Sequence, residues 1–181
     1  AGFGVSTKSH SGCVFIGSNA GKVAYTGNNN IAIGYGAMDD VDADATVGAS
    51  EENIFIGKDS GGGTWTTAAT SRNVCVGNAT MSAVLNEANY NAVVGFEALR
   101  DVTLGKFNTT MGYRSGVTIT SGSYNTGVGN ASTFDIDADN QTAVGNGATT
   151  DSANDIDIGN TRVDEVKGQV DFTTFSDERI K

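Results

Sequence analysis

One short phrase, repeated nine times, constrains the fold of this 181-residue chain more than any other feature. It reads N-x-x-(I/V/M)-G-x-x-(A/S/T), and its clearest copy is the segment Asn30–Ala37, N-I-A-I-G-Y-G-A. The glycines of successive copies lie 17, 23, 20, 18, 17, 17, 16 and 14 residues apart. A repeat of this length predicts stacked structural units, each of which contacts only its neighbours.

Two apolar positions in each copy predict a β-strand with one buried face. The residue directly before the glycine is Ile, Val or Met in every copy, and the residue three before it is apolar or Thr. Positions two apart on a strand face the same side, so we expect both positions to form the repeat core. The residues directly before the glycines are Ile16, Ile33, Ile56, Val76, Val94, Met111, Val128, Val144 and Ile158.

The position between these two is also mostly apolar or small, as in Phe15, Ala32 and Phe55. A strand on the surface of a monomer would alternate apolar with polar residues, so this pattern predicts burial on both faces. A thin coil has only one interior, and the second buried face therefore needs a partner chain, most simply in a symmetric homo-oligomer. We expect Asp at Ile33 or Val94 to block both folding and assembly.

The flanks of the phrase predict tight, stacked turns. The fourth position before the glycine is Asn in six copies, with Gln141 and Asp155 as relatives in the last two. Asn tolerates left-handed backbone and hydrogen-bonds its local backbone, and the glycine column permits positive φ. The predicted fold class is therefore all-β: an elongated β-solenoid or β-roll over residues 1–159, expected as an intertwined homotrimer, followed by a connecting strand region over 160–175.

Composition narrows the classes of partner. The chain has 25 glycines, no proline and a net charge of −10, which argues against collagen, nucleic acid and anionic membranes as structure or partner. No apolar stretch is long enough to insert in a membrane. The chain begins at Ala1 without a methionine, so we expect it to be a fragment of a longer protein.

Candidate metal ligands are few, and we predict no metal and no cofactor. His10 is the only histidine, and we expect it to be solvated. An acidic stretch with Asp40, Asp42, Asp44 and Glu51 has the spacing of a calcium loop, but Ala45 stands where the sharp turn needs glycine. Solvated acidic loops remain the alternative for this stretch and for a shorter one with Asp135, Asp137 and Asp139.

Two further residue types leave alternatives open. Cys13 and Cys75 lie 62 residues apart, which matches no metal-ligand spacing, so we expect two small buried thiols rather than a metal or disulfide pair. Trp65, the only tryptophan, follows a Gly-rich loop and is a candidate receptor-binding residue; the alternative is a cap that folds back on the core. Any laterally displayed binding surface is expected at residues 38–52 and 58–72.

The repeat resembles those of phage tail fibres and, less closely, the β-roll heads of trimeric autotransporter adhesins. Residues 176–181, S-D-E-R-I-K, resemble the opening motif of the endosialidase-type intramolecular chaperone domain that follows many phage fibres. In that family the chaperone assembles the homotrimer and then cleaves itself off. The resemblance implies Ser176 as the nucleophile and Lys181 as its base. Because residues follow Ser176 here, we expect a truncated or uncleaved form, without catalysis by this chain.

These features together predict a structural protein: a homotrimeric tail-fibre segment on the virion, outside the cell, that contacts a receptor or polysaccharide of the bacterial host. One alternative is a tailspike that degrades polysaccharide, which would need two carboxylates beside a sugar groove. Another is the head of a trimeric bacterial adhesin.

Overall fold

Each copy of the repeated phrase forms one three-residue β-strand. A computed structural model describes residues 11–22, 27–39, 50–65 and 68–165. The strands are β1 (Val14–Ile16), β2 (Ile31–Ile33), β3 (Ile54–Ile56), β4 (Val74–Val76), β5 (Ala92–Val94), β6 (Thr109–Met111), β7 (Thr126–Val128), β8 (Thr142–Val144) and β9 (Ile156–Ile158). The described residues contain no helix, and the predicted all-β solenoid is confirmed, with about eight turns. Turns are numbered below by the strand that each contains, from the first (β1) to the ninth (β9).

The strands form one parallel sheet in which each strand pairs with the next along the chain, from β1 to β9. Equivalent positions of the phrase are always paired, from Ile16 with Ile33 at one end to Val144 with Ile158 at the other. Even the longest spacing, between β2 and β3, keeps this register, with Ile33 opposite Ile56. Variation in repeat length is therefore absorbed by the loops and leaves the strands aligned.

The interior of the coil is formed by the middle residue of each strand, and the predicted repeat core is wrong for the single chain. Ala32, Phe55, Cys75, Val93 and Ala143 have no exposed surface. The residues directly before the glycines, which we expected inside, are exposed in seven of the nine strands, with exposed fractions of 36–55%, and are half-buried in β2 and β3. The strands point their middle side chain inward and their two outer side chains away from the coil.

Loop residues complete the interior. Met38, Trp65, Met81, Leu85 and Leu99 are fully buried and pack with the middle residues of the strands in one core cluster. The inner column ends at β9 with Asp157, which is half-buried and pairs in register with Ala143. Asp157 is thus the one charged side chain in the inner column of the described strands.

A buried column of amide side chains joins successive turns. In the fifth turn, Asn91 donates through Nδ2 to the carbonyl of Gly105, at 3.0 Å, and accepts through Oδ1 from the backbone N–H of Asn108, at 2.9 Å. The same backbone acceptance links six consecutive pairs in the column Asn30, Asn53, Asn73, Asn91, Asn108, Asn125 and Gln141. Cys13 begins the column, where its Sγ accepts from the N–H of Asn30 at 3.4 Å.

The glycine column is required by the closeness of the turns. Gly95 has φ of 141°, and a Cβ at this position would overlap the carbonyl oxygen of Gly112 in the next turn. The repeat glycines from Gly17 to Gly129 share this conformation and the same overlap with the glycine of the following turn. The sequence pattern N-x-x-(I/V/M)-G thus reflects two constraints between turns. The Asn hydrogen-bonds the backbone of the next turn, and the Gly leaves room for its carbonyl oxygen.

We expect Asn91→Ala to lower the free energy of unfolding by roughly 2–5 kcal/mol. The substitution leaves the carbonyl of Gly105 and the N–H of Asn108 without their partner, and each such buried backbone group costs about 1–3 kcal/mol. Urea denaturation at fixed protein concentration, followed by circular dichroism, measures the change. The control is Ser152→Ala, because Ser152 is exposed in the loop between β8 and β9 and lies off the face that the strands expose. We expect this control to cost less than about 0.5 kcal/mol. Equal losses for the two variants would contradict the role of the amide column.

Candidate functional site

The outer residues of the nine strands form an exposed sheet face without a charged side chain, the outward face. One of its columns holds the residues directly before the repeat glycines, and the other holds the residues three before them: Val14, Ile31, Ile54, Val74, Ala92, Thr109, Thr126, Thr142 and Ile156. Ile156 is 65% exposed and Met111 is 53% exposed. On a chain with a net charge of −10, two columns without a charge define a distinct surface.

The outward face is bordered on its first side by a column of exposed residues five before each glycine, the first border: Gly12, Asn29, Glu52, Arg72, Tyr90, Phe107, Tyr124, Asn140 and Asn154. The rings of Tyr90 and Phe107 stack at 4.8 Å, and those of Phe107 and Tyr124 at 5.0 Å. Arg72 lies over the Tyr90 ring at 5.5 Å and forms an ion pair with Glu52 at 2.7 Å. The first border is therefore a continuous ladder of side-chain contacts over five turns.

The three rings of this ladder share a left-handed backbone conformation with the rest of the first border. Tyr90, Phe107 and Tyr124 have φ values of 61°, 57° and 61°, and from Asn29 to Asn154 every residue of the border has a φ value of 56–64°. The cost of this conformation therefore belongs to the turn and not to the aromatic side chains. All three rings are more than 40% exposed, and each stacked pair contributes about 0.5–1.5 kcal/mol.

The second side of the face is bordered by the residues directly after the glycines, the second border: Ser18, Tyr35, Lys58, Asn78, Phe96, Tyr113, Asn130, Asn146 and Asn160. All but Asn160, which is half-buried, are exposed. The rings of Phe96 and Tyr113 stack at 5.7 Å, with an interplanar angle of 8°. Aromatic side chains thus occupy both borders in the fifth and sixth turns.

Trp65 lies inside the coil rather than on a binding surface. Its side chain is fully buried, and its Nε1 donates to the carbonyl of Gly61 at 2.9 Å. Its ring packs edge-to-face with the ring of Phe55, with 5.7 Å between the two ring centroids. A receptor has no surface of this ring to contact. Trp65 is therefore a cap on the core, and we do not retain it as a receptor-binding residue.

Two of the three acidic residues near the seventh turn, Asp137 and Asp139, accept hydrogen bonds from the protein's own donors. Asp137 Oδ1 accepts from the hydroxyls of Thr120, at 2.6 Å, and Ser121, at 2.8 Å. The Thr120 and Ser121 hydroxyls lower the pKa of the Asp137 carboxyl. Asp139 accepts from the backbone N–H of Ser123 at 2.7 Å.

No group of three or more His, Cys, Asp or Glu side chains that could hold a metal is present within residues 11–22, 27–39, 50–65 and 68–165. The predictions for His10, Asp40, Asp42 and Asp44, and for the motif residues Ser176 and Lys181, concern positions outside the described residues. In the described part of the chain there is likewise no helix with the length and hydropathy of a membrane span.

Comparison with known proteins places the chain in no group: no family model matches it, and no curated protein or solved structure is significantly similar to it.

The two bordered columns of the outward face were not predicted as a site, because the sequence analysis assigned the strands' outer residues to the core. A signal was available in the spacing. The residues five before, three before, directly before and directly after each glycine are separated by even numbers of residues. On an extended strand their side chains therefore point to the same side.

Both cysteines are free thiols in different surroundings: Cys75 is buried beside Met81, whereas Cys13 is half-buried at the start of the amide column. Burial raises the pKa of the Cys75 thiol well above its usual value, which suppresses the reactive thiolate. We expect N-ethylmaleimide at neutral pH to label Cys13 in the native protein and to label Cys75 only after denaturation, as read by mass spectrometry. Fast labelling of Cys75 in the native protein would contradict the packed inner column.

Proposed function

We propose that this chain is a segment of a homotrimeric phage tail fibre that helps to attach the virion to the surface of its bacterial host. The observation that carries the proposal is the outward face: nine strands that expose two uncharged columns over the whole length of a repeat stack. Large exposed apolar patches on otherwise polar proteins mark interaction surfaces.

The dimensions of the outward face suit an interface between protein chains. Nine strands at a spacing of about 4.8 Å make it roughly 38 Å long. The two borders are six residue steps apart along the chain, which makes the face roughly 20 Å wide at about 3.3 Å per residue. The resulting area of about 750 Å² is close to the roughly 800 Å² that each partner contributes to a stable interface.

A further copy of this chain is the partner that fits this surface. The side chains of the face recur once per strand, so a partner that packs along the whole length needs the same period. Because the face carries no charge, covering it avoids the desolvation cost of charged groups. The exposed ion pairs Arg72–Glu52 and Lys58–Asp59 lie off these two columns, at the rim of the face.

The number of copies and the biological role rest on the resemblance of the sequence to tail fibres. That resemblance supports a trimer, because fibres with this type of repeat and chaperone motif are homotrimers. A stiff parallel stack with a shared core is suited to extend from a virion, and the loops opposite the sheet are then available to the host receptor or polysaccharide.

We expect Val94→Asp to convert the trimer to a monomer without unfolding the coil. Val94 is 42% exposed on the outward face, so a carboxylate there is hydrated in the single chain and desolvated in the assembly. This revises the expectation from the sequence that folding fails too. Light scattering coupled to size exclusion measures the mass, and circular dichroism measures the fold.

The matched control is Leu104→Asp. Leu104 is 44% exposed and lies in the loop between β5 and β6, away from the outward face. This variant should keep the mass of the wild-type protein. A monomeric wild-type protein, or a Val94→Asp variant that remains trimeric, would refute the proposed assembly.

Host attachment is tested separately with fluorescently labelled protein and a panel of intact bacterial strains. We expect saturable binding to at least one strain, lost after periodate treatment if the receptor is a glycan and after protease treatment if it is a protein. The Val94→Asp monomer should bind more weakly because it loses avidity. A stable trimer that binds no strain would argue against the attachment role, and released oligosaccharide would favour the tailspike alternative.

A further inference from the structure

We propose that the copies pack parallel and in register, so that the first border of one chain lies against the second border of the next, turn for turn. This inference rests on the proposed assembly and specifies its geometry. It assigns a role to residues that the outward face alone leaves unexplained: the exposed aromatic and charged side chains along the two borders.

Symmetry makes the arrangement specific. If the chains are related by rotation about an axis parallel to the stack, the outward faces point toward the axis and each turn lies level with the same turn of its neighbours. The first border of one chain then meets the second border of the next chain at every junction, which is a closed heterologous contact. Residues six apart in the sequence, one on each border, become neighbours across the junction.

Five of the nine turns set like or complementary side chains level across the two borders. In the third turn Glu52 stands level with Lys58, so opposite charges meet. In the fifth and sixth turns aromatic residues stand level with aromatic residues, and in the eighth and ninth turns Asn with Asn. The level pairs are Glu52 with Lys58, Tyr90 with Phe96, Phe107 with Tyr113, Asn140 with Asn146, and Asn154 with Asn160.

Other arrangements keep part of this match but lose its charge pair. A slip by one turn in one direction keeps Phe107 level with Phe96 and Tyr124 level with Tyr113, but it sets Arg72 level with Lys58, which repel each other. A slip in the other direction sets Glu52 level with Asn78 and Phe107 level with Asn130. An antiparallel two-fold arrangement centred on the fifth turn sets each border against itself in reverse order, so Glu52 faces Tyr124 and Lys58 faces Asn130. Of these four arrangements, only the parallel register without slip pairs Glu52 with an opposite charge.

The exposed aromatic ladder is consistent with such a junction. Stacking along the ladder covers the ring faces of Phe107 on both sides, which leaves the ring edges to point outward. Ring edges pack favourably against other aromatic rings, and Phe96 and Tyr113 of the next chain supply such rings at the same level. The carboxylate of Glu52 and the ammonium of Lys58 already form ion pairs within their own chain, yet each can form several hydrogen bonds at once.

The test is disulfide cross-linking between the borders under mild oxidation, read on a gel without reductant. In the double variant Asn140→Cys with Asn146→Cys, both sites are exposed and level. We expect covalent trimer to become the main species, because each chain is linked to both neighbours. The mismatched control is Asn154→Cys with Asn130→Cys, whose two sites lie two turns apart and therefore differ in height by about 9.6 Å. We expect this variant to remain monomeric on the gel. The wild-type protein, with its native cysteines alone, measures the background of cross-linking.

Several outcomes would overturn the inference. Efficient cross-linking of the mismatched variant would show a different register. Covalent dimers from Tyr90→Cys alone would show an antiparallel contact, since the fifth of nine turns meets itself in that arrangement. Absence of cross-links in the level variant, while light scattering still gives a trimer, would refute the register and leave the proposed assembly intact. A monomeric wild-type protein would refute both.

Discussion

The buried column of amide side chains is the interaction on which the rest of this structure depends. Each Asn in the column accepts from the backbone of the next turn and donates to a loop carbonyl, as Asn91 does with Asn108 and Gly105. These bonds set the height and the rotation of every turn relative to the last. Once the turns are aligned, the middle residue of each strand must point inward and its neighbours outward, and loops of different length can be accommodated without a change of register.

The repeat in the sequence was sufficient to predict the strands, their order and their number, because the spacing of one phrase carries that information directly. It was not sufficient to predict which side of each strand lies inside. Val94 and Val93 are both apolar, and a three-residue strand offers too short an alternation to separate them. The position of Asn91 resolves the question: an amide that bonds within the coil lies two residues before Val93, so the two share a side, and Val94 must face outward.

Trp65 shows a second limit of reading side chains one at a time. Its Gly-rich, polar surroundings in the sequence are typical of a display loop, but the indole folds over Phe55 and bonds to Gly61. The gain from burying a large ring exceeds any preference of the loop for solvent, since a fully buried aromatic side chain contributes about 1.5–3 kcal/mol. The surface suited to a partner lies instead on the sheet, where the sequence had predicted a core. That prediction located the apolar columns but placed them on the wrong side of the strands.

The central claim is that the outward face is a surface between chains, and methionine oxidation tests it most directly. Met111 is 53% exposed on this face, while Met38 and Met81 are fully buried in the coil. In the assembled wild-type protein, dilute hydrogen peroxide should leave all three methionines largely unoxidised; in the Val94→Asp variant it should oxidise Met111 alone. Rapid oxidation of Met111 in the wild-type protein at high concentration would mean that the face is open to solvent, and the account would be wrong.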